Sequence, residues 1–256
     1  MTVFSHYARY YDLLYRDKDY AAEVKFIHGL IVKYAPQTRS ILELGCGTGA
    51  HAAVFAELGY RLHGVDRSPA MLDAAGRRTA GLGRALADVL SFSQGDIRTV
   101  RLGGSFDAVI SLFHVLSYQT TNEDVISSFA TAGAHLKPGG IFMFDCWYGP
   151  GVLADRPAVR NKRFEDDRIT VSRTAEPSLD IEHHTTDVSY TIRIRDKQTG
   201  TAEEIREVHR MRHFFDWEID SFAGESNFTV IQRLAWMSDH APGPTTWNAC
   251  FVLQKL

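Results

Sequence analysis

The sequence predicts a doubly wound α/β fold, a mostly parallel sheet with helices on both faces, followed by an antiparallel β insertion. Short apolar strands alternate with helical segments between residues 40 and 147, which is the pattern of parallel βαβ units. A glycine-rich turn, ELGCGTG at 43–49, joins the first of these strands to a helix. After Gly151 polar and apolar residues alternate, which indicates antiparallel strands with one face in water.

Residues 1–35 are predicted to form a helical lid in two pieces. Tyrosines and Leu14 follow helical spacing between residues 7 and 15. The second piece, 20–34, places Val24, Ile27 and Ile31 on one face.

The α/β core is predicted within residues 36–150. Its strands are expected at 40–45, 60–66, 91–96, 106–113 and 141–147, with helices at 68–78 and 122–136. Ser68 is a candidate N-cap, and LKPGG (136–140) is expected as a turn that stops the second helix. The insertion is predicted at 151–213, and 214–256 return to the core with a helix near 215–225 and strands near 228–236 and 246–255.

Composition narrows the class of protein. The chain has 256 residues and a formal net charge of −3, so no nucleic-acid partner is expected. Cys46, Cys146 and Cys250 are widely spaced without a C-x-x-C pair, which predicts neither a disulfide framework nor a zinc site. The N-terminus has no apolar signal segment and no run is long enough to cross a bilayer, so a cytoplasmic protein without a membrane partner is expected.

The glycine turn is the first candidate binding site. Its glycines let the backbone approach a ligand, and the following helix offers free N–H groups. The same residues with Ala50 also satisfy the dinucleotide fingerprint G-x-G-x-x-A, so the turn alone leaves two cofactor classes open. Asp66 ends the next predicted strand, where a carboxylate can accept the hydroxyl groups of a ribose.

Successive motifs then become specific: E-x-G-x-G-x-G, V-D-x-S-x-x-M, G-D-I, F-D-A-V-I and L-K-P-G-G. Together they resemble class I methyltransferases, which bind S-adenosylmethionine on a Rossmann-like sheet. The resemblance implies that Glu43 organises the methionine end, Asp66 holds the ribose and Asp96 faces the adenine amino group. The predicted cofactor site comprises Tyr20, Glu43, Gly45, Cys46, Gly47, Gly49, Asp66, Arg67, Ser68, Met71, Asp96, Ile97, Leu112 and Phe113.

Several acceptor classes are disfavoured. SLFHVLSY (111–118) stands where amino-methylating nucleobase enzymes carry an N/D-P-P-Y motif, and no cysteine follows a proline as in C5-pyrimidine enzymes. No H-x-x-H or carboxylate cluster suggests a metal, and none is predicted.

The N-terminus resembles that of the TDP-amino-sugar N,N-dimethyltransferases, through the pair Tyr11-Asp12, Tyr15 and K-D-Y-x-x-E at 18–23. The resemblance implies that Tyr11 lies in the active site and that Tyr20 contacts the cofactor. The active-site histidine of that family falls on Tyr118 here, and His114 sits four residues earlier. The predicted catalytic residues are therefore His114, Tyr118 and Tyr11.

The acceptor is expected to be a small molecule with a nucleotide-sugar as the candidate. Arginine forks suit its pyrophosphate. The predicted substrate residues are Tyr7, Trp147, Tyr148, Arg160, Arg193, Arg195 and Arg210.

Alternatives remain open at this point. They are an O- or N-methyltransferase of another metabolite, an NAD-dependent oxidoreductase, and an inactive cofactor-binding subunit. Glu43 before the glycine turn and G-D-I at 95–97 disfavour the oxidoreductase. The sequence also leaves open whether the chain forms a homodimer.

Overall fold

The computed structural model describes the backbone from Ala8 and the side chains from Tyr10, in both cases to Leu256. The chain begins with two helices, α1 (Ala8–Leu14) and α2 (Tyr20–Tyr34). Asp19 caps α2 by accepting a hydrogen bond from the Ala22 N–H. Val24, Ile27 and Ile31 are buried on one face of α2, as the apolar spacing predicts.

A parallel sheet follows and forms the centre of the molecule. Its strands are β1 (Ser40–Leu44), β2 (Arg61–Asp66), β3 (Leu90–Gln94), β4 (Phe106–Ser111) and β5 (Leu136–Tyr148), in the order β3-β2-β1-β4-β5. The helices between them are α3 (Ala50–Glu57), α4 (Pro69–Ala80), α5 (Arg84–Ala87) and α6 (Asn122–His135), and a 3-10 turn covers Val115–Tyr118. Ser68 caps α4 by accepting from the Met71 N–H, as predicted.

Hydrophobic clusters cover both faces of the sheet. Alternate residues of β1 separate them, so Ile41 belongs to the cluster with α2 and α3, and Leu42 to the one with α6. Burial on both faces explains why the central strands read as continuous apolar runs.

The end of the chain completes the sheet. After α8 (Asp216–Glu225), β10 (Phe228–Ala235) pairs antiparallel with β11 (Asn248–Lys255), and β11 pairs antiparallel with β5. The two strands predicted near 228–236 and 246–255 are therefore present, and they pair antiparallel.

The insertion is a second, antiparallel sheet that follows a short helix, α7 (Gly149–Ala154). It contains β6 (Arg160–Glu165), β7 (Ile169–Asp180), β8 (Thr185–Asp196) and β9 (Ala202–Phe214). The last residues of β9 pair with Trp147 and Tyr148 of β5, so the insertion is tied to the carboxyl end of the core. Its inner face packs Val171 and Ile192 against Tyr10 and Leu14 of α1.

Among the strand boundaries, the start of β5 differs most from the prediction. β5 begins at Leu136, and LKPGG is part of the strand rather than a separate turn. Leu136 pairs with Phe106, and the register then shifts before Ala108. Gly139 has φ +73°, so the irregularity that the P-G-G sequence signals is taken up inside the strand.

Among the residues from Ala8 onward, which the structure describes, no helix combines the length and the apolar character that crossing a membrane requires. Among the same residues, no three histidine, cysteine, aspartate or glutamate side chains are grouped to hold a metal ion.

Candidate functional site

A cavity of about 300 Å³ lies at the carboxyl ends of β1, β2 and β4, between α1 and the inner face of the insertion. This edge is where ligands bind in doubly wound sheets. The structure brings most of the predicted site residues together there. Those that line it are Tyr11, Tyr20, Gly45, Cys46, Gly47, Asp66, Arg67, Met71, Asp96, Ile97, Leu112, Phe113, His114, Tyr118 and Trp147.

The glycine turn and Asp66 form one rigid corner of the cavity. Gly45 and Gly47 have φ values of +80° and +54°, a region that side chains other than glycine rarely adopt. A Cβ on Gly47 would meet no described atom within 4 Å, so its missing side chain leaves open space. The Asp66 carboxylate accepts hydrogen bonds from the Gly47 and Ser68 N–H groups at 2.9 and 2.8 Å. Burial nevertheless raises the pKa of Asp66.

Asp96 is held at the opposite end by a guanidinium group. Arg98 donates to both of its carboxylate oxygens, at 2.9 and 2.6 Å, and also to Asp124 at 2.8 Å. The hydrogen bonds from Arg98 lower the pKa of Asp96. The result is an ionised, oriented carboxylate at the cavity wall.

Glu43 lies buried beneath the glycine turn. Burial and the nearby charge of Asp66 raise its pKa to about 8. Its Oε1 lies 3.6 Å from His51 Nδ1, and His51 Nε2 lies 2.8 Å from Glu23, which also pairs with Lys18. Among the described residues, none forms a hydrogen bond with Glu43 Oε2. Buried polar atoms are normally satisfied, so this oxygen marks a place for a ligand group.

A strained turn follows β4. Phe113 and His114 both have positive φ, 66° and 61°. The fully buried carboxylate of Asp145 on β5 accepts from the His114 N–H at 3.2 and 3.3 Å, and its Oδ2 lies 2.6 Å from His114 Nδ1. Strain of this kind persists only where neighbours enforce it, and it concentrates at functional sites.

Helix α1 covers the cavity and is anchored to the glycine turn. Asp12 accepts a hydrogen bond from the Thr48 hydroxyl at 2.9 Å and pairs with Arg78 at 3.0 Å. This anchoring gives the Tyr11-Asp12 pair a physical meaning: Asp12 holds the helix while Tyr11 faces the cavity. Burial raises the pKa of Tyr11, so its hydroxyl stays protonated.

The inner face of the insertion supplies a wall that the sequence analysis did not predict. Tyr190, His209 and Met211 line the cavity from β8 and β9. Tyr118 Oη lies 2.7 Å from His209 Nδ1. Successive side chains of a strand point to opposite faces, so the segment HRMR (209–212) could have placed His209 and Met211 on one face and the two arginines on the other. The other cavity residues missed are Tyr15, Thr48, Ala50, His51, Arg98, Val115 and Gln119.

Several predicted substrate residues need correction. Arg193, Arg195 and Arg210 alternate along β8 and β9 with the residues that line the cavity, so they lie on the outer face of the insertion. Arg193 pairs there with Glu204, and Arg210 with Asp187.

The prediction that Tyr148 contacts the substrate also needs correction, because Tyr148 follows Trp147 on β5 and its side chain lies on the opposite face of the sheet. It is buried in the core and donates to Asp216 at 2.9 Å. Tyr7 lies outside the described residues.

Three predicted cofactor residues support the cavity without lining it. Glu43 lies beneath the glycine turn, Ser68 donates its N–H to Asp66, and Gly49 begins α3 with φ +71°. Arg160 is the first residue of β6. Its positive charge opposes the rise in the pKa of Tyr190, which lines the cavity, that burial causes.

Comparisons with known proteins agree with this fold. Residues 41–140 match the family described as "Methyltransferase domain". The putative methyltransferase YqeM of Bacillus subtilis is 33% identical over 99% of this chain and 97% of its own length. The chain therefore belongs to the methyltransferase family. It is an S-adenosylmethionine-dependent enzyme.

Other relatives carry more specific names. The dTDP-3-amino-3,4,6-trideoxy-alpha-D-glucopyranose N,N-dimethyltransferase of Streptomyces venezuelae is 37% identical over 58% of this chain, and the match spans 60% of that relative. The dTDP-4-amino-2,3,4,6-tetradeoxy-D-glucose N,N-dimethyltransferase of Saccharopolyspora spinosa is 26% identical over 96% of this chain and 91% of its own. The solved sugar N-methyltransferase KedS8 from Streptoalloteichus sp ATCC 53650 has a TM-score of 0.80, 26% identity and coverage of 96% and 92%.

The cavity fits this cofactor on its own features. Gly47 leaves open space at the glycine turn, Asp66 stands at its edge, and a buried oxygen of Glu43 lies beneath it. A ribose is a ligand group that a carboxylate such as Asp66 binds. A positively charged ammonium group beside Glu43 would favour its ionised form, against the burial that raises its pKa.

Asp66→Ala is expected to weaken S-adenosylhomocysteine binding by about 1.5–3 kcal/mol, because a charge-assisted contact is lost. Isothermal titration calorimetry measures the change. Asp73→Ala is the matched control, because Asp73 is an exposed acid on the adjacent helix α4. Equal affinity in the two variants would show that Asp66 does not bind the ligand.

Proposed function

We propose that the enzyme methylates the amino nitrogen of a nucleotide-linked amino deoxysugar. The relatives named above as dTDP-amino-sugar N,N-dimethyltransferases support this acceptor class. The observation that carries the proposal is a wall of four tyrosines, Tyr11, Tyr15, Tyr118 and Tyr190, facing the same cavity as the glycine turn.

These phenol groups suit an amine. A hydroxyl oxygen accepts a hydrogen bond from an amino N–H, and the aromatic rings exclude water. An amine attacks only in its neutral form, and a desolvated pocket lowers the pKa of an ammonium group. The burial that raises the pKa values of Tyr11 and Tyr118 therefore also favours a neutral acceptor.

The bound cofactor supplies a methyl group on a positively charged sulfonium. The chain would hold it with Asp66 at the ribose, Asp96 at the adenine, and Glu43 with the glycine turn at the methionine end. Tyr20, whose ring centroid lies 4.9 Å from that of His51, would cover the methionine end of the cofactor. The work left to the protein is to align the nitrogen with the methyl and to exclude water.

The nucleotide part of the acceptor extends along the inner face of the insertion. The arginines on the outer face are poorly placed for it, but two others act on Tyr190. Arg173 lies over the Tyr190 ring at 5.2 Å. Burial raises the pKa of Tyr190, and the positive charges of Arg173 and Arg160 oppose that rise. We place the pyrophosphate near Arg160, the exposed member of this pair.

The proposal is tested with a panel of acceptors under saturating S-adenosylmethionine. TDP-3-amino- and TDP-4-amino-deoxysugars are offered beside their hydroxy analogues and beside the same amino sugars without the nucleotide. Mass spectrometry is expected to detect methyl addition to the amino compounds, with a strongly raised KM when the nucleotide is removed. Methylation of the hydroxy analogues alone would contradict the nitrogen assignment, and indifference to the nucleotide would contradict its binding.

A further inference from the structure

Three side chains on the inner wall of the cavity are connected in series. Tyr118 Oη lies 2.7 Å from His209 Nδ1, and His209 Nε2 lies 3.2 Å from Glu207 Oε2. Tyr118 and His209 line the cavity, and the Glu207 side chain behind them is 9% exposed. Tyr118 belongs to the 3-10 turn after β4, whereas His209 and Glu207 belong to β9. The series therefore joins the core to the insertion at the acceptor side.

The acceptor-only chemistry of a carboxylate fixes the hydrogens. Ionised Glu207 can only accept, so His209 Nε2 carries the hydrogen and donates it. In a neutral imidazole the other nitrogen is then the acceptor, so the Tyr118 hydroxyl donates to His209 Nδ1. Burial raises the pKa of Tyr118 well above its ordinary value, which keeps the phenol protonated in the resting enzyme. Its oxygen is an acceptor as well as a donor.

We propose, on the basis of the function proposed above, that Tyr118, His209 and Glu207 form a relay that removes the proton from the acceptor nitrogen. The nitrogen lone pair forms the N–C bond, and the methyl leaves sulfur, which keeps the bonding electrons. The nitrogen then carries a positive charge and a surplus proton. That proton passes to Tyr118 Oη as the phenol proton passes to His209 Nδ1, and Glu207 stabilises the resulting imidazolium. Tyr118 is the catalytic residue; His209 and Glu207 act through it.

His114 belongs to a separate pair of side chains. His114 Nδ1 lies against Asp145, whose carboxylate also holds the backbone of the strained turn. His209 is instead contacted by the ring of Tyr190 at 4.9 Å, while Glu207 supplies a negative charge on the far side. The charged and titratable groups facing Tyr118 and His209 include Tyr11 from α1, Tyr15 directly after α1, Arg173 from β7, Tyr190 from β8 and Glu207 from β9.

The kinetic test compares Tyr118→Phe, His209→Gln and Glu207→Gln with wild type on a TDP-amino-deoxysugar. We expect kcat to fall by about 10²–10⁴ for the first two and by about tenfold for Glu207→Gln, with KM changed by less than about threefold. Calorimetry is expected to find unchanged S-adenosylhomocysteine affinity, which shows that the variants are folded. Glu204→Gln, on the outer face of the same strand, is the matched control and should keep wild-type kcat.

A spectroscopic test needs no turnover. In ¹⁵N NMR spectra of the whole enzyme, His209 is expected to carry its hydrogen on Nε2, and Glu207→Gln is expected to change the Nε2 signal. A hydrogen on Nδ1 would overturn the relay, whatever the acceptor is. Wild-type kcat in His209→Gln, measured where wild type methylates the amino sugar, would overturn the relay and leave the proposed function standing. A wild-type enzyme that methylates no amino sugar would overturn both.

Discussion

Gly47→Val is expected to abolish measurable cofactor binding, with affinity for S-adenosylhomocysteine reduced by about 100-fold or more. The new side chain would project into the open space beside the glycine turn, which the ligand must occupy. The backbone at φ +54° adds strain, because β-branched residues rarely adopt that region. The same variant would shift Asp66, which accepts from the Gly47 N–H.

Backbone strain alone must be separated from loss of the ligand site. Gly59→Val provides the matched control. Gly59 has φ +88°, a Cβ there also meets no described atom within 4 Å, and the residue lies after α3, away from the cavity. Both variants should lose similar thermal stability, and Gly47→Val alone should lose binding by calorimetry. Equal binding in the two would remove the glycine turn from the site.

Deleting residues 1–17 is expected to lower kcat/KM by about 100-fold or more while leaving the core folded. The deletion removes Tyr11 and Tyr15 from the cavity wall and opens it to water. It keeps Asp19, which caps α2, and Tyr20, which contacts His51. Steady-state kinetics with the amino sugar measure the loss. The thermal shift produced by S-adenosylhomocysteine reports whether the core still folds and binds.

A single substitution tests the anchoring of α1 while the helix itself, which covers the inner face of the insertion, is still present. Asp12→Ala removes the contacts with Thr48 and Arg78 that anchor α1, and a rise in KM is expected. Asp17→Ala is its control, since Asp17 is largely exposed and pairs with Arg16. Normal transfer by the truncated enzyme would show that the N-terminal segment is not part of the site.

The cofactor half of the cavity was predictable because its residues are local to the strand ends. Gly47 and Asp96 follow strands of a parallel sheet and Asp66 ends one, and parallel strands end at one edge. The position of the residues on the acceptor side of the cavity depends on how the antiparallel sheet of the insertion, which is distant in sequence, packs against the core. The sequence shows that Arg193 and Arg195 share a face, but not which face meets the cavity. That choice is made by packing of Val171 and Ile192 against α1.

Some supporting residues carry no sequence signal at all. Asp145 lies in an apolar run of β5, where an acid gives no hint of its partner. Its role follows from the positive φ of Phe113 and His114, which propensity disfavours and which the Asp145 carboxylate stabilises from the neighbouring strand. Tyr148 shows the opposite case, since alternation along β5 already separates it from Trp147.

The proposed reaction is the transfer of a methyl group from S-adenosylmethionine to an amino nitrogen of a nucleotide-linked sugar. The most direct measurement uses S-adenosylmethionine labelled with ¹³C in the methyl group and a TDP-amino-deoxysugar labelled with ¹⁵N. The product is expected to show one-bond coupling between the labelled carbon and the labelled nitrogen. A labelled methyl on oxygen, or recovery of the amino sugar unmethylated, would contradict the account.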